Sequence, residues 1–429
     1  MLNWIKVITR PFRRMLRVVI HKAVLRRDVR ICRRNYRRKI AKCQEKLSHG
    51  QKIRVMFLVS ELAKWKTQSL FDLMAKLDCF EPFIAISCMG DWRSHPEYKS
   101  LTDDSIAAFK EKGMKYVVVA DFGTMKNLPL QAYNPDIIFY EQPYDWKREY
   151  MPAVTSRFAI TAYVPYCVPT NEINVRWYEG DFLRTVCFYI LLNQQLKDDL
   201  MAYVDPTKYA GQILPLGHTF YDDYLLDDNR PGDSKDLVIY APHWTFDHPN
   251  NLNSLNISTF LWTGVEMLAY AERHPDVRWV FKPHPRLRLQ LLRSKVWTEK
   301  EIDDYYNGWA KVGFCYYGSD YISLFKRSRV LITDCSSFVG EYPPCGGAVI
   351  HLRSSTEKCE LLKAYKAMYD AFYQVHNLAE MYAALDTVVV RREDPNREER
   401  MRAVRELGLV GNNAAKNIVD FLMAELREN

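Results

Sequence analysis

The sequence has no C-x-x-C pair and no cluster of Cys and His at zinc-ligand spacing, although ten cysteines are scattered through its 429 residues. That distribution excludes a disulfide framework and a zinc site, and reads as the reduced, mostly buried thiols of a cytosolic protein. No uninterrupted apolar run approaches the ~18 residues of a spanning helix, and no short apolar core with a small-residue cleavage site follows the basic N-terminus. A membrane span and secretion through a signal peptide are therefore not expected. Short-period repeats and low-complexity segments are also missing. No acidic triplet stands out of the kind that holds a nucleotide-bound divalent ion, so no cofactor is required by the sequence and a divalent cation is left open. What is present is ordinary globular composition, 48% apolar and 26% charged, in a chain long enough for two or three domains.

The net charge of +8 conceals an asymmetry. Residues 1–49 hold 16 Lys and Arg against two acids, Asp28 and Glu45, a balance of +14; the other 380 residues carry 44 bases against 50 acids, or −6. Within this arm Ile5, Ile8, Phe12, Leu16, Val19 and Ala23 recur at three- and four-residue steps. Pro11 follows Thr9 where a first helical turn tolerates it. The pattern predicts a basic amphipathic helix. With Trp4 and Phe12 near its start it suits an anionic membrane surface, where each Lys or Arg near the headgroups contributes ~1 kcal/mol. A solvated charged helix or a partner-binding arm is the plainer alternative. Nucleic acid is not expected as a partner, since no base-reading motif accompanies the arginines. A transit peptide would be rich in serine, and the arm has only Ser48.

After Gly50 the pattern becomes alternating α/β. Residues 52–60, 83–87, 116–120 and 136–140 read as strands, with helices predicted over 67–78 and 101–113. A second series has strands at 186–192, 212–216, 237–241, 277–282, 330–333 and 348–352, with helices over 194–203 and 257–273. Residues 356–386 and 394–427 look mainly helical, separated by the β-branched run Val388–Val390. Strand and helix alternation predicts parallel sheets. The expected architecture is two doubly wound, Rossmann-like halves with a cleft between them: an arm over 1–49, a first domain over 50–185 and a second over 186–429. The boundary falls where Trp177-Tyr-Glu-Gly180 breaks the pattern.

In open parallel sheets ligands bind beyond the carboxyl ends of the strands, where loops diverge and helix N-termini present free N–H groups. Three strands of the second half end in unusual polar residues: Pro242-His243-Trp244, Lys282-Pro-His284-Pro-Arg286 and Asp334-Cys-Ser336-Ser337. Ser336 and Ser337 are strong N-cap residues, and a helix start there offers hydroxyls, N–H groups and a positive dipole end to a phosphate. Prolines on both sides stiffen the loop around His284, and cations flank it, so its imidazole should lose its proton easily and act as a donor or an acid. His243, His284 and His218, in Leu216-Gly217-His218, are each compatible with a structural turn. Together, beside a serine-capped helix, they predict an anion-binding catalytic cleft.

These motifs resemble the CDP-glycerol glycerophosphotransferase family, the GT-B-like enzymes that build teichoic-acid-type polyol phosphate polymers on bacterial membranes. The resemblance rests on Leu216-Gly217-His218 with Asp222 or Asp223 following, Ile239-Tyr-Ala-Pro242-His243-Trp244, Lys282-Pro-His-Pro285 and Leu331-Ile-Thr-Asp334-Cys-Ser-Ser337, and covers about residues 186–355. It implies a second domain that binds a CDP-activated polyol, with His284 on the phosphates, Ser336 and Ser337 anchoring the diphosphate, and His218, Lys282, Arg286 and Asp334 lining the donor site. The first domain would receive a lipid-linked or other membrane-associated acceptor. An acceptor hydroxyl would attack the β-phosphorus in line, releasing CMP, at the inner face of the cell membrane. The family's late first-half His-Gly pair, whose histidine is a candidate general base, is not matched: the region reads Phe139-Tyr-Glu141-Gln142-Pro-Tyr144-Asp145-Trp146. Glu141, Asp145 and His243 remain as candidates, and a carboxylate would need an elevated pKa or would work without full proton transfer. Ser60, Lys64 and Trp65, after the first strand, and Gln142 and Tyr144 are expected on the acceptor side. A GT-B glycosyltransferase using a nucleotide sugar and a non-catalytic membrane-bound scaffold are the competing readings.

Overall fold

The computed structural model describes residues 2–88, 97–124, 126–171, 180–224, 236–248, 255–318, 321–357 and 361–427, with no side chain described for 2–14, 17, 97, 98 and 223. The chain forms two compact units. In the N-terminal unit the strands are β1 (Ile53–Val59), β2 (Phe80–Ile86), β3 (Tyr116–Val118), a small antiparallel pair β4 (Ala120–Asp121) and β5 (Lys126–Asn127), β6 (Ile137–Tyr140), β7 (Ile160–Tyr163), β8 (Phe188–Ile190) and β9 (Gln212–Leu214). All but β4 and β5 join one parallel sheet in the order β3-β2-β1-β6-β7-β8-β9. Runs such as Ile53–Val59 are nearly continuous in apolar residues because helices cover both faces of such a sheet.

The C-terminal unit is built on β10 (Leu237–Ala241), β11 (Arg278–Phe281), β12 (Gly313–Cys315), β13 (Ser328–Thr333), β14 (Ala348–Leu352) and β15 (Tyr373–Val375). These are all parallel, in the order β12-β11-β10-β13-β14-β15. Both sheets are therefore doubly wound, as expected. In each the strand order reverses once, between β1 and β6 in the first and between β10 and β13 in the second. The carboxyl ends at those reversals are where loops part and a ligand fits.

The units are drawn differently from the boundary expected at residue 186. Pairing of β8 with β7 and of β9 with β8 takes residues 188–214 into the first sheet, so the N-terminal unit runs on to Phe220. The segment Cys167–Asn174 is assigned to the second unit. The helix Ala414–Leu426 belongs to the first unit again: Ile418, Val419, Leu422 and Leu426 lie in the core of the N-terminal unit. Residues 177–179 of the expected breakpoint lie outside the described residues.

The arm is one helix, Leu2–Ser48. It does not start at Pro11 but runs through it, although proline removes one backbone hydrogen bond there. Its second half is not a free arm. Leu25, Val29, Cys32 and Cys43 are buried, with Tyr36, Ile40 and Leu47 packed on the core, at steps of three and four residues. Lys46 forms an ion pair with the buried Asp136 at 2.6 Å. Met15, Leu16, Val18, Val19, Ile20 and Val24, by contrast, are exposed. At 100° per residue the stripe through Leu16, Val19 and Ala23 lies about 120° round the helix from the docked stripe. The expected apolar face is thus distinct from the one that folds onto the body; side chains of Trp4, Ile5, Ile8 and Phe12 lie outside the described residues.

The β-branched run Val388–Val390 is itself helical: Asp386–Val390 continues the helix Leu378–Leu385 as a π turn. Val388 and Val389 are buried there, and their widened carbonyls accept N–H groups of Arg329 at 2.7 and 2.9 Å. The partner supplied by a distant strand outweighs the local preference of three valines.

Candidate active site

In the C-terminal unit the register of the sheet brings two imidazoles together. Tyr240 on β10 pairs with Phe281 on β11, and each is followed three residues later by a histidine. The alignment persists past the strands, since the His284 N–H donates to the Pro242 carbonyl at 3.0 Å. The His243 and His284 rings consequently lie edge to face, with centroids 4.8 Å apart. Both residues are of intermediate exposure.

Each ring is held in one tautomer by the same local turn. His243 Nδ1 accepts the Thr245 N–H at 3.3 Å, and His284 Nδ1 accepts the Arg286 N–H at 3.1 Å. A ring nitrogen that accepts an amide hydrogen carries no proton, so in the neutral ring the proton sits on Nε2. Burial, reinforced by Arg286, lowers the His243 pKa to about 3. Burial also holds His284 well below its ordinary value, with His243, Arg286 and Lys282 adding to the effect. The pair therefore offers two uncharged Nε2–H donors.

Around it, Trp244 lies 6.0 Å from His284 by ring centroids, and the Arg286 guanidinium covers the Trp244 ring at 5.5 Å. Arg286 is exposed, whereas Lys282 is buried among Tyr316, Tyr321 and Phe338, 5.0–5.6 Å from their ring centroids. Lys282 is thus packed beside the strand end rather than offered at its rim.

Asp334 has a different part from the donor contact expected of it. Its carboxylate is buried; Oδ1 accepts the His243 N–H at 2.6 Å, and Oδ2 accepts the Thr259 N–H at 2.6 Å and its hydroxyl at 3.0 Å. Burial raises its pKa while these donors oppose the rise. It is a positioning residue that ties the loop after β10 to the start of the helix Phe260–Arg273. Ser336 and Ser337 are likewise not caps. The cap is Cys335, without a side-chain capping bond, and the serines are the first two residues of the six-residue helix Ser336–Glu341. Both are partly exposed, at the reversal of the strand order beside β10.

His218 is placed in the other unit. Its Nδ1 accepts the Phe220 N–H at 3.2 Å and its Nε2 lies 2.7 Å from the Pro165 carbonyl, which takes the remaining proton. Both nitrogens are engaged within the fold, and burial lowers its pKa to about 4. The structure gives it a structural turn rather than a donor-binding role.

The N-terminal unit has a second cluster, at the reversal between β1 and β6. Leu58 pairs with Tyr140, so Ser60 and Glu141 emerge side by side. Glu141 Oε1 accepts the Ser60 N–H at 2.7 Å and the Ser60 hydroxyl; Oε2 is buried without a partner. Burial raises the Glu141 carboxyl to about 7, against the lowering by Lys64 and Ser60. Lys64 pairs with Glu61, bonds Gln142 Oε1 and lies 5.4 and 5.5 Å from the ring centroids of Tyr144 and Tyr166. The Tyr144 hydroxyl donates to Tyr166 at 2.8 Å. Of the residues expected here, Trp65 stands apart. Its ring packs on Phe57, Phe71 and Phe109 in the core, and its N–H donates to Gln68 at 2.9 Å. Asp145 is exposed, on a turn with φ of 61°.

Tyr166 is the functional-looking residue that sequence reasoning missed. It follows β7, a strand the sequence pattern did not reveal, because Ile160–Tyr163 carries Thr161 and Ala162 among few large apolar residues.

No protein-family model matches the sequence, and no curated protein does so at a significant level. Solved structures do match. A variant of the wall teichoic acid polymerase TagF aligns over 91% of this chain and 98% of its own, at 12% identity and a TM-score of 0.52. The same polymerase after a CDPG soak aligns over 97% of both chains, at 13% identity and a TM-score of 0.51. UDP-GlcNAc 2-epimerase from Neisseria meningitidis, bound to UDP-GlcNAc, covers 87% of this chain and 100% of its own, at 13% identity and a TM-score of 0.53. The fold is GT-B-like. At these identities the likeness is one of fold.

Proposed function

We propose that this protein transfers a polyol phosphate, with glycerol phosphate as the leading cargo, from a CDP-activated donor to a membrane-associated glycan or polyol phosphate acceptor. CMP is released, in synthesis of a teichoic-acid- or capsule-type polymer. The observation that carries the reading is the His243–His284 pair, two imidazoles fixed as Nε2–H donors at one strand-end register. A diphosphate needs several directed donors more than it needs full charge, and donors held in place before binding cost no reorganisation when negative charge shifts. Arg286 and the hydroxyls of the partly exposed Ser336 and Ser337 add to them. Loss of CMP needs little covalent help from the protein, so positioning and charge stabilisation are what these residues supply.

The acceptor is assigned to the N-terminal unit, whose helix Leu2–Ser48 carries exposed apolar residues between basic ones. Such a surface suits the headgroup region of an anionic membrane at the inner face of the cell membrane. Among the described residues no helix is long and apolar enough to cross a membrane. Support for a CDP donor also comes from the CDPG soak of the structurally similar polymerase.

A nucleotide-sugar enzyme is the second reading, favoured by the equally similar epimerase bound to UDP-GlcNAc. The deciding experiment incubates the full chain with CDP-polyols, UDP-sugars and GDP-sugars, with and without membranes, and measures nucleotide release. CMP from a CDP-polyol is expected. Turnover of UDP- or GDP-sugars alone overturns the proposal, and release from none favours a non-catalytic scaffold.

A further inference from the structure

The helix Leu2–Ser48 packs one stripe on the N-terminal unit, and along its free side the residues change character abruptly. At 100° per residue Met15, Leu16, Val19, Ile20 and Ala23 fall on one arc of about 140°. All are exposed. Every position on the same arc from 26 to 38 is an arginine, and each of these is exposed too. Past them the arc carries Ala41, Gln44, Glu45 and Ser48, so the basic stretch ends before the helix does. Within it Arg33 donates to the Thr207 and Tyr209 carbonyls at 2.7 and 3.0 Å, and Arg27 lies 3.2 Å from Asp28. Arg26, Arg30, Arg34, Arg37 and Arg38 have no acidic partner among the described residues. Like charges three and four residues apart on a helix repel, and an anionic surface spanning several turns relieves that repulsion. The row is ~18 Å long at the rise of an α-helix.

We propose that the arginine row of residues 26–38 is a lipid-headgroup site, so that the docked half of the helix, and not only its exposed apolar half, lies on an anionic bilayer. This rests on the membrane reading above and extends it from an arm to one wall of the folded unit. The alignment of the two stretches favours a bilayer over a soluble polyanion. A flat partner meets both at once, offering its acyl boundary to Leu16 and Val19 and its phosphates and carboxylates to the guanidinium groups. A polyanion in solution has nothing for the apolar stretch. The rotation of the helix is already set: Leu25, Val29, Cys32 and Cys43 are buried on the other side, Arg33 holds two carbonyls, and Lys46 pairs with Asp136. The same bonds that dock the helix therefore aim its arginines outward, and the N-terminal unit meets the bilayer in one orientation instead of hanging from a tether.

The test floats full-length protein with vesicles of phosphatidylcholine, with and without phosphatidylserine, over a series of salt concentrations. The wild type is expected to float with the phosphatidylserine vesicles, and less as salt rises. Arg30→Gln, Arg34→Gln and Arg37→Gln combined should lower the partition coefficient roughly hundredfold, about fivefold for each cation removed, and flatten the salt dependence. Lys76→Gln, Lys110→Gln and Lys112→Gln combined remove equal exposed charge elsewhere in the N-terminal unit and should leave flotation near the wild-type value. Thermal unfolding checks both variants, and the arginine variant should unfold no lower than the wild type because repulsion has been removed. An arginine variant that floats as the wild type does, or a lysine variant that loses as much, overturns the headgroup site and leaves the membrane and transfer readings standing. So does an arginine variant that loses only its affinity for soluble polyphosphate, or a wild type that floats equally well with both vesicles. A wild type that floats with neither overturns the membrane reading as well.

Discussion

Glu141 should leave a signature in stability that does not depend on catalysis. Its carboxyl moves from 4.5 to about 7 on folding, chiefly because burial disfavours the charge. At roughly 1.36 kcal/mol per pH unit this is about 3 kcal/mol. Since the folded pKa lies above the unfolded one, the folded state holds its proton longer. The stability is complete below about pH 4.5, falls as pH rises towards 7, and is flat above. Glu141→Gln cannot ionise, so it should be more stable than the wild type above pH 7 by up to that amount, and similar near pH 4.5. For a unit of this size, that is roughly 6–12 °C in the transition of the N-terminal unit. Thermal unfolding of both proteins, followed by circular dichroism between pH 4.5 and 8, measures the difference directly. Curves that run parallel over the whole range would refute the claim that a buried carboxyl near Ser60 bears this cost.

The other expectations are simpler. His243→Ala and His284→Ala should each weaken CDP-glycerol binding ten- to hundredfold by calorimetry, because a hydrogen bond to a charged group contributes about 1.5–3 kcal/mol. Asp334→Asn confronts the His243 and Thr259 donors with an amide that cannot accept all three; thermal unfolding should show a loss of about 1–3 kcal/mol, accompanied by weaker donor binding. Leu16→Glu with Val19→Glu, both exposed positions, should abolish flotation with phosphatidylserine vesicles while leaving thermal unfolding unchanged. Leu422→Ala, in the core of the N-terminal unit, should destabilise that unit by about 2–5 kcal/mol in denaturant titrations.

Much of the fold could be read from residue order because buried parallel strands are local apolar runs. Leu237–Ala241 and Ala348–Leu352 have the bounds expected. What escaped were strands too short or too plain to stand out, Ile160–Tyr163, Gly313–Cys315 and Tyr373–Val375, whose extension depends on a neighbouring strand. The meeting of His243 and His284 followed from their equal distance beyond paired residues, a matter of register. The parts played by Asp334, His218 and Cys335 did not follow. Whether a carboxylate faces a ligand or its own backbone, whether an imidazole finds a carbonyl, and which residue leaves the helical region first are settled by loops from elsewhere in the chain. Side-chain type alone carries no signal for them.

The return of the helix Ala414–Leu426 to the first unit has a consequence for biogenesis. A chain growing on the ribosome presents its first sheet long before the segment that closes one flank of it exists. Until residue 426 emerges, the groove awaiting Ile418, Val419 and Leu422 stays open. A chain that ends after the second unit and before these residues lacks the side chains that close this flank of the first core.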